Sequence, residues 1–422
     1  MTQLIIKNIG PVKNIDITLN KVNLIIGPQS SGKSTINKIA CYCSWVEKKV
    51  SLERSFDFFL KDNAFLYNLV EFHKLKGYFN EGAYIGYHSD VLSFEYSYPN
   101  STPIFTWKNP QKYDRAKLSY IPAERNIVSI IDNWNGINLP ENNIRNFMSD
   151  WNTARKHHNT TNNADIVSLN IKYYYDESNG QDNIINPDGS PLPLLCASSG
   201  IQSYVPLYIL TNYFTEWIYN HKEPKSVISE EKEIRIYRNV IQETSTECNI
   251  EEKILTDLID KDFEKIRPEE MAILHQLIGK YRKLKKNNST QLFIEEPELN
   301  LFPSVQRNVL YYLIQSIQKR KDDRLFITTH SPYILYSLNN CIMGWIVKND
   351  MPKEIANTLE SHSAWIDPAL VSAWQIKDGE IITIQEEKTR NIAKHYFNEV
   401  MNETMDEYYT MINYFNPKAN EK

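Results

Sequence analysis

Gly27-Pro28-Gln29-Ser30-Ser31-Gly32-Lys33-Ser34-Thr35 is the stretch on which the reading of this chain turns. It has the spacing G-x-x-x-x-G-K-S, and its flanks suit that spacing. Val22-Asn23-Leu24-Ile25-Ile26 before it is a short apolar run of strand type. After it Ile36, Ile39, Ala40 and Cys43 recur at helical spacing. Strand, glycine-bearing loop and helix together make a phosphate-binding loop, or P-loop. Gly27 and Gly32 let the backbone curl so that successive N–H groups face one concavity. The start of the next helix adds partial positive charge. Lys33 can reach the β- and γ-phosphates, and the Ser34 hydroxyl can ligate Mg²⁺. Residues 27–35 are therefore assigned to a nucleoside triphosphate, read as ATP with Mg²⁺.

The 422 residues suffice for one large core or two modest ones. A content of 41% hydrophobic and 23% charged residues is that of a soluble globular protein. The net charge of −5 supplies no global basic field, so any DNA contact has to be a local patch, built by an oligomer. Cys41, Cys43, Cys196, Cys248 and Cys341 are scattered without metal-ligand spacing. They read as reduced and structural, which fits the cytoplasm. Lys7 and Asn8 interrupt the first apolar run, so no signal peptide is expected. No stretch approaches ~18 apolar residues, so no membrane is expected.

Along the chain, 4–7 and 12–19 read as strands joined at Gly10-Pro11, with helix from Trp45 to about Lys76. Residues 84–107 read as a hairpin or meander broken by Pro99-Asn100 and Pro103. Lys117-Leu118-Ser119-Tyr120-Ile121 is a strand, and Pro122-Ala123-Glu124-Arg125 opens a helix. Helix is expected over 141–158, strand over 166–175, turn and hairpin over 180–193, and a long helix from Ser198 to about Tyr219. Residues 223–252 are charged with weak periodicity, whereas 254–286 is helical and ends in the basic run Lys280 to Lys286. That run is either a solvated helix end or a nucleic-acid contact. Strands are expected at 292–294, 324–328 and 341–347. Helices are expected at 303–321 and 331–338, a hairpin around Asp378-Gly379, and a helical tail over 386–415.

Two further motifs follow the P-loop. Leu292-Phe293-Ile294 delivers Glu295-Glu296, the form of a Walker B motif. Glu295 is assigned to the metal and Glu296 to the catalytic base that orients or activates water. Roughly thirty residues on, Leu325 to Thr329 is a second buried strand, ending at His330. Alone, that histidine reads as structural. Beside the loop and the acid pair it is assigned to the γ-phosphate or to holding the water-orienting acid.

This trio resembles the ATPase heads of the ABC class, the branch that contains SMC and Rad50 proteins. It is most similar to the bacterial "overcoming lysogenization defect" (OLD) family and related AAA-type ATPases of anti-phage systems. Carrying the resemblance are 27–35, Ile294-Glu295-Glu296-Pro297-Glu298-Leu299, Thr329-His330-Ser331-Pro332 and Ile121-Pro122-Ala123-Glu124-Arg125. It implies an α/β fold: a P-loop NTPase with an ABC-like head, a mixed-sheet core, an antiparallel β-subdomain and helical insertions. It also implies a signature motif, which Ser198, Ser199, Gly200 and Gln202 fit. There the start of a helix would meet the γ-phosphate of a partner subunit's ATP. Asn300 stands where a D-loop would cross to that partner. The glutamine loop falls in the neighbourhood of 86–110, with Gln111 as a candidate. Arg125 is open between an interface or phosphate-sensing role and a structural ion pair.

The expected layout follows. The head's N-terminal part spans 1–219, with an insertion at about 45–115. A helical insertion covers 220–288, the head's C-terminal part 289–384, and a helical tail 385–422. About ninety residues separate Gly200 from Glu295, far more than in a transporter head, and no long heptad arm is visible. OLD-type proteins usually carry a TOPRIM nuclease, which needs a D-x-D; none follows His330. The expectation is thus an ATPase that closes as a homodimer or higher homo-oligomer and regulates a separate effector, a nuclease or toxin. The alternatives are a Rad50-like ATPase that clamps DNA itself and an ATP-dependent scaffold with negligible turnover.

Overall fold

The structure is a computed structural model that describes residues 2–100, 102–221, 227–261, 266–393 and 395–414. β1 (Thr2–Ile9) and β2 (Val12–Leu19) pair antiparallel and alternate buried with outward residues. They lead into β3 (Val22–Ile26), buried at every position, and then through the P-loop into α1 (Lys33–Glu53). α2 (Asp57–Leu60) and α3 (Ala64–His73) precede a meander of β4 (Phe79–His88), β5 (Leu92–Ser97) and β6 (Ile104–Trp107). β7 (Ala116–Ile121) ends in a 3₁₀ turn at Ala123–Asn126 and the short α4 (Ile127–Ile130). α5 (Asn143–Ala154) starts where Asn142 Oδ1 accepts the N–H groups of Ile144 and Arg145.

β8 (Ala164–Ile166), β9 (Ile171–Asp176), β10 (Gln181–Ile185) and β11 (Pro191–Pro193) form a small antiparallel sheet of their own. α6 (Ser199–Asn212) runs through a π-helical turn into α7 (Ile218–Asn220). α8 (Val227–Cys248), α9 (Glu252–Ile259) and α10 (Pro268–Lys285) follow. β12 (Ser289–Glu295), α11 (Pro303–Ile317), β13 (Arg324–Thr329) and α12 (Pro332–Val347) alternate strand with helix. The short α13 (Lys353–Ala356), the hairpin of β14 (Val371–Lys377) and β15 (Glu380–Thr383), and α14 (Tyr396–Ile412) complete the described chain.

Among the described residues, eleven strands join in one mixed sheet, ordered β6-β5-β4-β1-β2-β15-β14-β3-β13-β12-β7. The half from β14 through β3, β13 and β12 to β7 is parallel. The half from β6 to β2 is antiparallel. The parallel strands are covered on both faces, which explains their unbroken apolar runs. Alternation then divides the core. Leu24, Leu292 and Ile327 point to the face packed by α6, α11 and α12. Ile25, Phe293 and Phe326 point to the face packed by α1 and the insertion helices, where the Phe293 and Phe326 rings stack with centroids 4.3 Å apart. The fold is thus an α/β P-loop fold with a mixed sheet, an antiparallel extension and added helices.

Two sequence expectations are corrected. Cys341–Val347 is the second half of α12, not a strand. The decisive signal is the helical spacing of buried Ile334, Leu338, Cys341 and Ile342. The tail is not helical from 386: Gln385 and Ile392 form a bridge, and helix begins only at Tyr396. The weakly periodic stretch after 223 carries the 22-residue helix α8. α8 lies against α1. Arg54 Nε meets a Glu243 oxygen at 3.1 Å, and Asn239 Nδ2 donates to Leu52 O at 3.1 Å.

Candidate functional site

The parallel strands end together. Register pairs Ile26 with Thr329, Thr328 with Glu295, and Ile294 with Ile121, so the carboxyl ends of β3, β13, β12 and β7 share one edge. Ligands of open α/β sheets bind at such edges. This one collects the P-loop, Glu295, Glu296 and His330.

At the loop, Gly32 has φ +104, and a Cβ there would stand 2.7 Å from Val12 Cγ2, so both backbone and space require glycine. Ser30 is also left-handed, at φ +60. Pro28, Gln29 and Ser30 are exposed, while Gly27, Lys33 and Thr35 are buried and Ser31 and Ser34 half-buried. α1 starts without a side-chain cap and without acids in its first turn, so its first N–H groups suit an anion. Lys33 Nζ donates to the carbonyls of Gly27 at 2.8 Å and Pro28 at 2.7 Å, folded over its own loop. Burial lowers the Lys33 pKa to about 8, against the raising influence of Glu296 and Glu298. Ser31 Oγ is buried without a hydrogen-bond partner. An orphaned hydroxyl inside an uncapped, glycine-turned concavity fits a phosphate.

At the acids, Glu295 closes β12 and is buried, and the Tyr120 hydroxyl donates to its Oε1 at 2.5 Å. Glu296 takes φ +44, which ends the strand and swings its side chain out of line, while its N–H still bonds Thr328 O at 2.8 Å. Burial, then the Glu295 charge, raises the Glu296 pKa. His330 Nε2 lies 3.6 Å from Glu296 Oε1. Burial and Lys33 both lower the His330 pKa, so the ring is neutral at pH 7. Ser34, at the start of α1, and Glu295, at the end of β12, are oxygen groups on this edge of the type that could hold Mg²⁺.

Three residues acquire partners that spacing alone did not indicate. Glu298 accepts the His330 N–H at 2.7 Å, fixing the end of β13 to the turn after β12. Tyr120 holds Glu295 from the neighbouring strand. Arg125 is fully buried and bonds carbonyls: Glu295 O at 2.9 Å, Glu296 O at 2.7 Å and Ser203 O at 2.9 Å. Of the two openings left for Arg125, the structure shows a bolt between backbone segments, with no contact to solvent. Strand register could have paired Tyr120 with the β12 end, but nothing in the local sequence identifies the Arg125 acceptors.

The 198–202 stretch lies apart from the P-loop, with no hydrogen bond between them among the described residues. Ser198 and Ser199 are exposed, and α6 begins with no side-chain cap. Gln202 is buried and donates to Leu195 O at 2.7 Å, bracing the turn before α6. Asn300, at φ +61, donates to Ser203 Oγ at 3.1 Å. A Cβ on Gly200 would lie 2.8 Å from Asn300 O, so α6 sits directly on the segment that follows Glu295 and Glu296. Gln111 is exposed and bonds Glu247 on α8 at 2.7 Å.

A family model described as AAA ATPase domain matches residues 270–335, from α10 to the start of α12. No curated protein matches. Among solved structures, the chain is similar to an SMC head domain from Thermotoga maritima. The identity is 11% and the TM-score 0.35, over 91% of this chain and 98% of that one. A nucleotide-free ATP-binding cassette from an ABC transporter aligns at 15% identity and TM-score 0.25, over 92% and 93%. The recombination mediator RecF aligns at 11% identity and TM-score 0.27, over 90% and 97%. No helix among the described residues is long and apolar enough to cross a membrane.

Proposed function

We propose that this chain is an ATPase of the ABC-head type that closes with a second copy of itself around ATP and thereby controls a separate effector protein. The observation that carries the reading is the shared edge: Lys33 and Ser34 from the P-loop, Glu295 and Glu296 from β12, and His330 from β13. In the proposed reaction a water oxygen bonds the γ-phosphorus, the bond to the β–γ bridging oxygen breaks, and ADP leaves. Glu296 orients the water and takes its proton, a role supported by its raised pKa. His330, neutral and 3.6 Å away, holds Glu296 in place. Lys33 balances charge on the transferred group. Mg²⁺, held by Ser34 and Glu295, would neutralise phosphate charge.

One chain leaves its site without a cap on the γ-phosphate side. The exposed, uncapped start of α6 supports Ser198, Ser199 and Gly200 as the piece that a second copy brings, with Asn300 near the crossing. A separate effector is supported by α14. That helix has no buried residue and exposes Val400, Met401, Met405, Tyr408 and Ile412. Glu399, Glu403, Asp406 and Glu407 flank these, with no lysine or arginine in the helix. Such a face suits an apolar groove rimmed by basic residues, and like charge opposes pairing with its own copy. The nuclease or toxin identity and the anti-phage role rest on the motif resemblance.

The test is Glu296→Gln, assayed for ATP binding, turnover and mass with ATP and Mg²⁺. Intact binding, turnover lowered at least ~100-fold and a stable dimer are expected. Normal turnover would sink the assignment of Glu296. Undetectable turnover in the unaltered protein would favour the scaffold. Tight, steeply salt-dependent DNA binding would favour the clamp.

A further inference from the structure

We propose that the cavity enclosed by α1, α3, β7 and α8 is a binding site for a small phosphorylated molecule bearing a planar ring, of mononucleotide size. Its volume is about 560 Å³, within the range of small-molecule sites. It lies beside the middle and C-terminal half of α1, away from the loop that precedes that helix. The binding claim therefore does not rest on the ATPase reading.

Charge defines the first half of the ligand. Five cationic side chains from three parts of the chain line the cavity, against the carboxylates of Glu53 and Glu231. Lys49 meets Glu53 at 2.9 Å and Arg235 lies 3.7 Å from Glu53, whereas the Lys117 ammonium is turned to Asp150 at 3.0 Å and over the Phe214 ring. An ammonium has three donors and a guanidinium five, so Lys49 and Arg235 keep donors for an anion. A cationic wall of this kind in a chain of net charge −5 concentrates anions locally.

The lining defines the second half. Trp45 and Phe72 are half-buried and present ring surface beside the cations. At the floor His73 is 1% exposed, and its Nδ1 has no hydrogen-bond partner. Burial lowers the His73 pKa to about 3, so the ring is neutral and adds no charge to the floor. Cys41, Tyr42 and Tyr120 close the floor, while Arg235, Glu231 and Asn146 are exposed at the mouth. A cavity of this volume admits a single ring with its phosphate.

The floor also touches the edge described above, because the Tyr120 hydroxyl holds Glu295 Oε1 at 2.5 Å. A ligand seated on Tyr120 adjusts the acid assigned to the metal. This regulatory part does rest on the ATPase reading.

The test is equilibrium dialysis of full-length protein carrying Lys33→Ala, which disables the P-loop, against a mixture of AMP, GMP, CMP and UMP. At least one is expected to be retained at about one per chain. Lys49→Gln with Arg235→Gln should weaken retention roughly tenfold or more, from the loss of charged hydrogen bonds. Arg235→Gln alone, at an exposed side chain, gives a variant certain not to disturb the core and should weaken it in the same direction. Retention of none of the four, or retention unchanged in both variants, overturns the site. Equal competition by ribose 5-phosphate overturns the ring, and tighter displacement by an oligonucleotide overturns the small-molecule class. The retained nucleotide should also change ATP turnover of the unaltered protein more than Tyr120→Phe allows. Equal effects in both proteins overturn the coupling. A chain that hydrolyses no ATP would sink the ATPase reading and leave the dialysis result standing.

Discussion

Replacing Arg125 with methionine tests whether the edge is held by its own backbone. The guanidinium is 0% exposed and donates to the carbonyls of Glu295, Glu296 and Ser203 at 2.7–2.9 Å. Burial lowers its pKa to about 10, opposed by Glu298, Glu296 and Glu295, so it is charged at pH 7. Methionine keeps much of the volume and removes every donor. Four carbonyls, that of Pro122 at 3.4 Å included, lose a charged partner, and three nearby carboxylates lose the compensating charge. Breaking a buried charged network of this kind costs about 3–5 kcal/mol. An unfolding entropy of about 2.1 cal/mol/K per residue gives roughly 0.9 kcal/mol/K for a chain of this length. The melting temperature should therefore fall by about 3–6 °C. Arg125→Lys keeps the charge without the planar fork and should recover about half of the loss. Hydrogen exchange should quicken at both ends of the bolt, in 295–300 and 199–203. A melting temperature within about 1 °C of the parent, with unchanged exchange at both segments, would refute the reasoning.

Gly200→Ala places a methyl against the Asn300 carbonyl, with no strained φ to relieve, and should cost about 1–3 kcal/mol in denaturant titrations. It should also abolish any ATP-induced dimer. The Lys33 pKa of about 8 lies below its unfolded value of 10.5, so Lys33 disfavours the ATP-free fold below pH 8. That penalty is relieved as pH rises from 8 towards 10.5, in urea titrations across that window. For the same reason ATP binding at pH 8.5 should take up a proton, measured by calorimetry in buffers of different ionisation enthalpy and absent in Lys33→Met. Truncation after Glu399 removes the exposed part of α14; it should leave melting and turnover unchanged and abolish co-purification of the effector.

The legible parts of this chain are those whose chemistry is local. The P-loop is nine consecutive residues between a strand and a helix, and the Glu295-Glu296 pair and His330 each close a buried strand. Their unbroken apolar runs mark those strands as buried, while the mixed sheet was what the motif resemblance implied. What was not legible depends on residues far apart in sequence. Arg125 is 170 residues from the Glu295 carbonyl and 78 from the Ser203 carbonyl. Tyr120 is 175 from the carboxylate it holds. The Cys341–Val347 stretch failed for another reason. Its β-branched and aromatic residues suggest a strand, but Gly344 packs under Trp365, and helical continuity with Ile334 and Leu338 outweighs local preference.

Those long-range bonds decide how a change at the nucleotide would spread. Glu296 leaves β12 in a left-handed conformation, which sets the direction in which its side chain leaves the backbone. The carbonyl of that same residue is bolted through Arg125 to Ser203 on α6, and Asn300 in the next turn bonds Ser203 from the other side. Gly200, one turn earlier on α6, has no room to slide past Asn300 O. On the proposed reading, a backbone shift at Glu296 on binding or losing a γ-phosphate would be passed along these bonds to the exposed start of α6. On the proposed reading, that start is what a second copy reads. On that reading Glu296 and Ser199 stand at the two ends of one bonded path within each chain, and a second copy docked on Ser199 would sense the nucleotide through it.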